Sequence, residues 1–217
     1  MEIEPERKAG RPPNVEIRER RREEILSAAV KLFAENGYDR ADTQVLADVL
    51  GIGKGTIYRY FPSKRELFLA AVDSAMRQLT AAVDESVERE EDPFRRMVCG
   101  IRSYLTFFAA HPELVELIIQ ERAQFKDRKK PTYFEYRDAN RVRWREMFCS
   151  LIAEGRLRAF NVDRVLDVLG DMLYGTMFCN YFVARESSPD AQTQDILDIA
   201  LHGILSDAER ARWRSLR

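Results

Sequence analysis

Apolar residues recur every three or four positions along almost the whole sequence, and no segment sustains an alternation of apolar and polar residues. Between residues 15 and 36, for example, Ile25, Ala29, Leu32 and Phe33 fall on one side of a helix, and charged residues occupy much of the other side. The pattern therefore predicts an all-α protein.

Helix start and stop signals divide the sequence into about nine helices. Asp42 can cap the second helix, and Ser63 with Glu66 forms a capping box at the start of the fourth. Five later start signals are Asp92-Pro93, His111-Pro112, Thr132 with Glu135, Asn161 and Ser188-Pro189. The predicted helices cover residues 15–36, 43–50 and 54–61, a long stretch from 63, and then 93–109, 112–125, 133–154, 162–185 and 190–205.

Proline, glycine and charged residues dominate the first 14 positions, which cannot form a packed element. We divide the chain into a flexible N-terminal arm (1–14), a small helical domain (15–62) and a larger helical domain (63–217). The arm contains Gly10-Arg11-Pro12, which can place an arginine in the narrow minor groove of DNA; an ordinary disordered tail is the alternative.

Residues 43–61 have the pattern of a helix-turn-helix. Ala47 is small where two short helices would cross, and Gly51 permits the turn between them. The apolar face predicted to point inward consists of Leu46, Leu50, Ile52, Ile57 and Phe61. The face predicted to point outward consists of Gln44, Lys54, Gly55, Thr56, Tyr58 and Arg59. Such outward groups suit the major groove of DNA, although two amphipathic helices of an ordinary bundle could share the pattern.

The run GKGTIYRYF at residues 53–61, followed by PSKREL at 62–67, resembles the signature of the tetracycline-repressor (TetR) family. The resemblance covers about residues 15–67. It implies a dimeric, ligand-responsive transcriptional regulator, usually a repressor, that binds a palindromic double-stranded operator. Two positions depart from the family pattern: Gly53 stands where a capping serine is common, and Val45, which we expect to pack, stands where a polar residue is common.

The resemblance also implies a role for each residue of the motif. Positions that approach base edges in the family correspond to Gln44, Lys54, Gly55 and Tyr58. Positions that contact phosphates correspond to Thr43, Thr56, Tyr60 and Lys64, and Arg59 could do either. Gln and Lys pair well with adenine and guanine, which agrees with this assignment. Tyr60 could instead be mostly core, and Arg59 could be merely solvated.

The predicted helix 162–185 is apolar over more of its circumference than one core contact requires, which indicates a second covered face. In the TetR family the last two long helices of each protomer form the dimer interface. On this resemblance the interface residues are Leu169, Leu173, Met177, Tyr181, Ile196, Ala200 and Ile204. A central helix buried within a monomer is the alternative.

Aromatic and methionine residues of the larger domain offer material for an apolar ligand pocket, although such residues are more often plain core. The candidate pocket residues are Met76, Tyr104, Phe108, Arg137, Asn140, Trp144, Phe148 and Met172. Arg137 and Asn140 lie in line with aromatic residues and could meet a polar group of a ligand. We expect a small, largely apolar effector to favour a conformation that releases DNA.

Composition and motif content exclude several classes of protein function. The chain has 217 residues and a net charge of −1, and its three cysteines and two histidines show no metal-ligand spacing. No nucleophile elbow or phosphate-binding loop is present, so we expect neither an enzyme nor a cofactor. We further expect buried reduced cysteines, no membrane partner and a cytoplasmic location. A DNA-binding regulator without an effector, either an activator or a protein-recruiting factor, is the alternative function.

Overall fold

The computed structural model describes residues 14–203, which form nine α-helices and no strand. The first four are α1 (Asn14–Arg40), α2 (Thr43–Leu50), α3 (Lys54–Tyr60) and α4 (Lys64–Glu88). The other five are α5 (Pro93–Ala110), α6 (Pro112–Gln124), α7 (Thr132–Ala153), α8 (Val162–Val183) and α9 (Pro189–His202). The all-α prediction is confirmed.

Most helices begin where their capping residues predict. The Asp42 side chain accepts a hydrogen bond from the Gln44 N–H at the start of α2. Ser63 caps α4 as predicted, because its hydroxyl accepts from the Glu66 N–H at 3.1 Å; the same hydroxyl also lies 3.3 Å from the Glu66 carboxylate, to which it donates. Side chains also cap the starts of α5, α8 and α9, and the capping residues are Asp92, Asn161 and Ser188.

The start of α7 differs from the prediction. Pro131, not Thr132, occupies the capping position, and no side chain caps the helix. The Thr132 hydroxyl and N–H both donate to the buried Glu121 carboxylate, at 2.9 and 3.0 Å, and Arg128 pairs with the same carboxylate. A carboxylate from α6 therefore satisfies the first turn of α7.

The chain divides into two compact units, Met1–Ala71 and Val72–Arg217. This boundary falls later than the sequence boundary after residue 62, because the first two turns of α4 pack within the first unit. Phe68 of α4 lies edge-on to Phe33 of α1, with ring centroids 5.0 Å apart, and both side chains are buried. The positive φ of 74° at Gly37 marks a kink near the predicted end of the first helix, and helical structure resumes to Arg40.

In the second unit, α5 packs against α6, α8 and α9, and α7 packs against α8. One core cluster brings together residues from α5, α7 and α9, namely Met97, Phe148, Leu151 and Leu197. The cysteines are less buried than expected: Cys99 and Cys179 are half-buried, and Cys149 on α7 is exposed. Between residues 14 and 203, no helix has the length and apolar character needed to cross a bilayer.

Candidate nucleic-acid interface and ligand cavity

A glycine turn joins α2 to α3. Gly51 adopts the left-handed conformation with φ 62° and ψ 35°, and its N–H bonds back to the end of α2. The Ile52 N–H then donates to the Ala47 carbonyl at 3.0 Å. Leu46, Ala47 and Ile57 are buried at the crossing of the two helices. The predicted helix-turn-helix is therefore the observed local structure.

The outward face of this unit carries the predicted polar groups. Gln44, Gly55, Tyr58 and Arg59 are exposed, and Thr56 is half-buried. The Gln44 amide is held by Asp48 on the same helix at 2.8 Å. Polar groups from both helices thus reach one solvent-facing surface.

Thr43 does not lie on that surface. Its side chain is only 3% exposed, and its hydroxyl lies 3.0 Å from the Tyr58 hydroxyl. The prediction of a direct phosphate contact at Thr43 is therefore corrected: the residue orients Tyr58 from behind. Val45 is less covered than expected, since half of its surface is exposed.

Two lysines lie close to the helix-turn-helix. The Lys54 ammonium pairs with the Asp42 carboxylate at 3.2 Å, and the backbone N–H of Gln44 together with this lysine lowers the pKa of Asp42. The Lys64 ammonium donates to the Asp39 carbonyl at 3.0 Å and lies over the Tyr38 ring. Both lysines are thus held at the start of α3 or α4, where the helix dipole also favours anions.

The fold of the isolated chain does not require a glycine at position 55. It lies in the first turn of α3, and a Cβ added there would meet no atom within 4 Å. Alanine would favour the helix by up to about 1 kcal/mol. Neither packing nor backbone conformation within the chain therefore accounts for a glycine at this position.

Tyr60 is half-buried, and the guanidinium groups of Arg18 and Arg59 each lie 6.0 Å from its ring centroid. Tyr60 is therefore neither fully buried in the core nor fully exposed, and its phosphate contact stays a prediction. The N-terminal arm with its Gly-Arg-Pro element lies outside the described residues, as does Ile204.

The second unit contains an open cavity of about 920 Å³. Six of the eight predicted pocket residues line it: Met76, Tyr104, Arg137, Asn140, Trp144 and Phe148. Phe108 and Met172 are not among the lining residues, and Phe108 is instead buried edge-on to Tyr104. The Asn140 amide donates to the Thr80 hydroxyl at 3.3 Å, which fixes its direction along the wall.

Sequence reasoning missed four further arginines of the cavity wall, Arg141, Arg143, Arg156 and Arg158. A signal for part of this set exists in the sequence. Arginines recur every four residues at 137, 141 and 145, and aspartates recur every four residues at 163, 167 and 171. Such matched spacing on two helices predicts facing charged stripes.

A tyrosine pair closes the buried part of the cavity. The Tyr104 and Tyr133 hydroxyls lie 2.8 Å apart, and the Tyr104 hydroxyl lies 3.6 Å from the Met177 sulfur. Burial raises the pKa of Tyr133 to about 12 and raises that of Tyr104 well above its usual value. Both hydroxyls therefore stay neutral near pH 7 and act as hydrogen-bonding groups.

The predicted dimer residues differ in how far their own protomer covers them: Leu169, Leu173 and Tyr181 are half-buried, and Ala200 is exposed. Met177 and Ile196 are buried, Leu169, Leu173 and Ala200 line the cavity, and the Tyr181 hydroxyl donates to Glu116 at 2.9 Å. The prediction is therefore corrected at Met177 and Ile196, which a second copy could not reach. The large apolar residues that are exposed on α8 and α9 are Val168, Phe182, Val183, Ile199 and Leu201, of which Ile199 and Leu201 also line the cavity. The helical periodicity of the sequence identified two apolar faces on α8, but it did not show which face packs inside the same protomer.

Among the described residues, no group of three or more histidine, cysteine or acidic side chains is arranged to hold a metal ion.

Comparison with known proteins places these features in context. Residues 25–71 match the family described as bacterial regulatory proteins, tetR family. The nucleoid occlusion factor SlmA of Mannheimia succiniciproducens is 26% identical over 129 residues, which span 59% of this chain and 60% of that protein. The nucleoid occlusion factor SlmA of Haemophilus influenzae is 28% identical over 166 residues, which span 70% of this chain and 71% of that protein.

Solved structures share the fold at lower identity. The transcriptional regulator FadR from Bacillus subtilis, in complex with stearoyl-CoA, superposes with a TM-score of 0.72 at 18% identity, covering 84% of this chain and 99% of that one. The fatty acid degradation regulator FadR from Bacillus halodurans gives 0.74 at 16% identity, covering 91% and 98%.

Proposed function

We propose that the protein is a homodimeric repressor of the tetR family that binds a palindromic operator and is released by a small effector, since residues 25–71 match that family of bacterial regulatory proteins. The observation that carries the proposal is the α2–α3 helix-turn-helix, whose outward face presents the polar and aromatic groups predicted to meet DNA. A helix presented in this way can enter a major groove.

We assign base-edge contacts to Gln44, Lys54, Gly55 and Tyr58. Phosphate contacts are assigned to Thr56, Tyr60 and Lys64, and Arg59 can serve either purpose. Gln44 and Lys54 must exchange their present partners, Asp48 and Asp42, for groups of the DNA. Substituting Lys54 by Ala should relax sequence preference, whereas Lys64→Ala should weaken binding to all sequences and flatten the salt dependence. Equal effects of the two substitutions on specificity would contradict the assignment.

Dimerisation is assigned to the exposed apolar residues of α8 and α9. Phe182 is 64% exposed in the isolated chain, and Val168 lies on the same helix. A second copy that covers this face removes the apolar surface from water by a two-fold, self-complementary contact. Phe182→Glu should yield a monomer in light scattering and abolish operator binding. Val142→Glu, at an exposed valine of α7, is the matched control and should remain dimeric.

The 920 Å³ cavity is assigned to the effector. Its volume lies in the range of sites for drug-sized ligands, and its lining combines apolar side chains with a few polar groups. A neighbour in fold, FadR from Bacillus subtilis, is described with stearoyl-CoA, which supports a ligand-binding role for this architecture. Binding energies are coupled, so an effector that weakens operator binding must itself bind more weakly when operator is present. Equal effector affinity with and without operator would overturn this part of the proposal.

A second candidate function is a DNA-bound factor without a small effector, either an activator or a protein-recruiting factor. The observation that favours it is the match to relatives named nucleoid occlusion factors. The two functions differ in what remains exposed after dimerisation, because a recruitment surface requires a large apolar patch that the second copy leaves uncovered.

A further inference from the structure

Two arginines from different helices approach the ring of Tyr60, the last residue of α3. The guanidinium carbon of Arg18 on α1 and that of Arg59 on α3 each lie 6.0 Å from the ring centroid. This distance is the outer edge of a cation–π contact, so the ring holds each group only loosely. Tyr60 is thus accompanied by positive charge from a helix that is not part of the helix-turn-helix.

The core of the first unit fixes the direction in which Arg18 points. Arg18 and Arg22 stand one turn apart and continue the stripe of α1 on which Leu26 and Phe33 are buried. The guanidinium of Arg22 accordingly lies over the Phe61 ring, 5.2 Å from its centroid. Because this face of α1 packs within the first unit, Arg18 is held on the side that faces the end of α3.

Arg18 and Arg59 differ from neighbouring arginines in their lack of an acidic partner. Arg20 and Arg21 both pair with Glu24, at 3.4 and 2.8 Å. Among residues 14–203, no carboxylate pairs with Arg18 or Arg59, and both side chains are exposed. An external oxyanion can therefore bind either guanidinium without displacing an internal carboxylate.

Acidic residues are as numerous as basic ones in this part of α1, but they do not neutralise Arg18. Residues 15–24 contain four of each. Glu16 and Glu19 stand two positions and one position from Arg18, and residues so spaced do not face each other on a helix. The other two acidic residues, Glu23 and Glu24, pair with other arginines. The guanidinium of Arg18 therefore stays open to an anion from outside.

We propose that Arg18 contacts the DNA backbone and extends the nucleic-acid interface from the helix-turn-helix to α1. The inference rests on the proposed DNA-binding function and adds a contact to it, beside the phosphate contact assigned to Tyr60. The guanidinium groups of Arg18 and Arg59 lie at most about 12 Å apart, a distance that about three or four successive phosphates of one strand span. The two arginines therefore need not share a phosphate to act on the same strand. Phosphates carry no base information, so Arg18 adds affinity and not sequence preference.

The chain supplies a matched control for Arg18. Arg20 lies two positions further along α1, so its side chain points to another side of the helix, and it is 82% exposed. Arg18→Gln and Arg20→Gln remove the same charge from almost the same part of the chain. The long-range electrostatic attraction of DNA therefore falls equally in both variants, and only Arg18→Gln removes the proposed contact.

The full-length protein and its variants are titrated with the operator recovered by selection and with a duplex of scrambled sequence, each at several salt concentrations. In Arg18→Gln a dimer loses two phosphate contacts, so the slope of log affinity against log salt concentration should fall by about 1.8 for both duplexes. Binding at low salt should weaken at least about tenfold, with the ratio of the two affinities unchanged. Arg20→Gln should change the slope by less than about 0.5. Arg18→Lys should keep most of the slope, since an ammonium group also neutralises a phosphate.

Thermal unfolding of the same variants separates a DNA contact from a packing role on Tyr60. The proposal is overturned if Arg18→Gln and Arg20→Gln give equal slopes, or if Arg18→Gln lowers the unfolding temperature and leaves the slope unchanged. Failure of the proposed function gives a different result. If selection recovers no preferred sequence, the slope on the scrambled duplex still tests Arg18, and a loss confined to Arg18→Gln would support the contact while sequence-specific regulation is rejected. Absence of binding to either duplex would reject both.

Discussion

The hydroxyl groups of Thr43 and Tyr58 lie 3.0 Å apart and join the first residue of α2 to the middle of α3. Thr43 is buried and Tyr58 is partly exposed, so the bond ties a surface aromatic to the interior of the first unit. The orientation of a side chain predicted to meet DNA is thereby set by a residue that does not meet it.

A double-mutant cycle on this pair should reveal coupling of about 1 kcal/mol in the free energy of unfolding. Tyr58→Phe should cost more than Thr43→Val, because it leaves the buried threonine hydroxyl without its partner, whereas the tyrosine hydroxyl can turn to water. Denaturant unfolding of the two single variants and the double variant measures the coupling. Additive effects would show that the bond contributes nothing.

Gly55→Ala should change stability and DNA binding in opposite directions. Alanine fits the free helix, since nothing lies within 4 Å of its Cβ, and should stabilise the first unit by up to about 1 kcal/mol. The methyl group should nevertheless weaken operator binding by blocking approach to the backbone. Thermal unfolding measures the expected gain in stability, and operator titration of the same preparation measures the expected loss of affinity. An alanine variant with unchanged affinity would remove Gly55 from the interface.

Gly100→Ala should alter the wall of the cavity, because Gly100 is itself a lining residue next to Trp144. A Cβ at residue 100 would lie 2.9 Å from Cη2 of Trp144, so the indole ring must shift. We expect a change in Trp144 emission, measured in a Trp213→Phe protein in which Trp144 is the sole tryptophan, with operator affinity unchanged. Unchanged emission would show that the ring does not occupy the described position.

Alkaline pH should destabilise the second unit. Burial raises the pKa of Tyr133 from 10.0 to about 12, so the folded state holds this proton more tightly than the unfolded state. The resulting stability is fully present below pH 10 and is lost as the pH rises from 10 to about 12. Unfolding free energies measured across this window should fall, and should fall less steeply in Tyr133→Phe. An equal fall of the unfolding free energy with pH in both proteins would show that Tyr133 does not cause the pH dependence.

Local signals predicted the helices well, because the residues that cap them act within a few positions of the chain. Asp42, Gly51 and Ser63 do what their types predict. Thr132 does not, because Glu121 of α6 takes its hydroxyl and N–H, and a partner that distant leaves no local signal.

The burial of individual side chains was predicted less completely, because it depends on partners that are distant in the sequence. Helical periodicity shows that α8 has two apolar faces, but only packing reveals that Met177 is buried in its own protomer while Phe182 is exposed. The arginines of the cavity wall were not predicted, because the aromatic residues suggested an apolar lining. The spacing of Arg137 and Arg141 opposite Asp171 and Asp167 was readable in the sequence.

The central claim is sequence-specific operator binding by a dimer through α3. It is tested most directly by selecting genomic fragments with the purified protein and titrating the recovered site at two salt concentrations. The account predicts a palindrome whose half-sites lie about 34–36 Å apart, bound by a dimer and lost in Tyr58→Ala but retained in Arg89→Ala. Weak binding without sequence preference, equally strong in Tyr58→Ala, would contradict it.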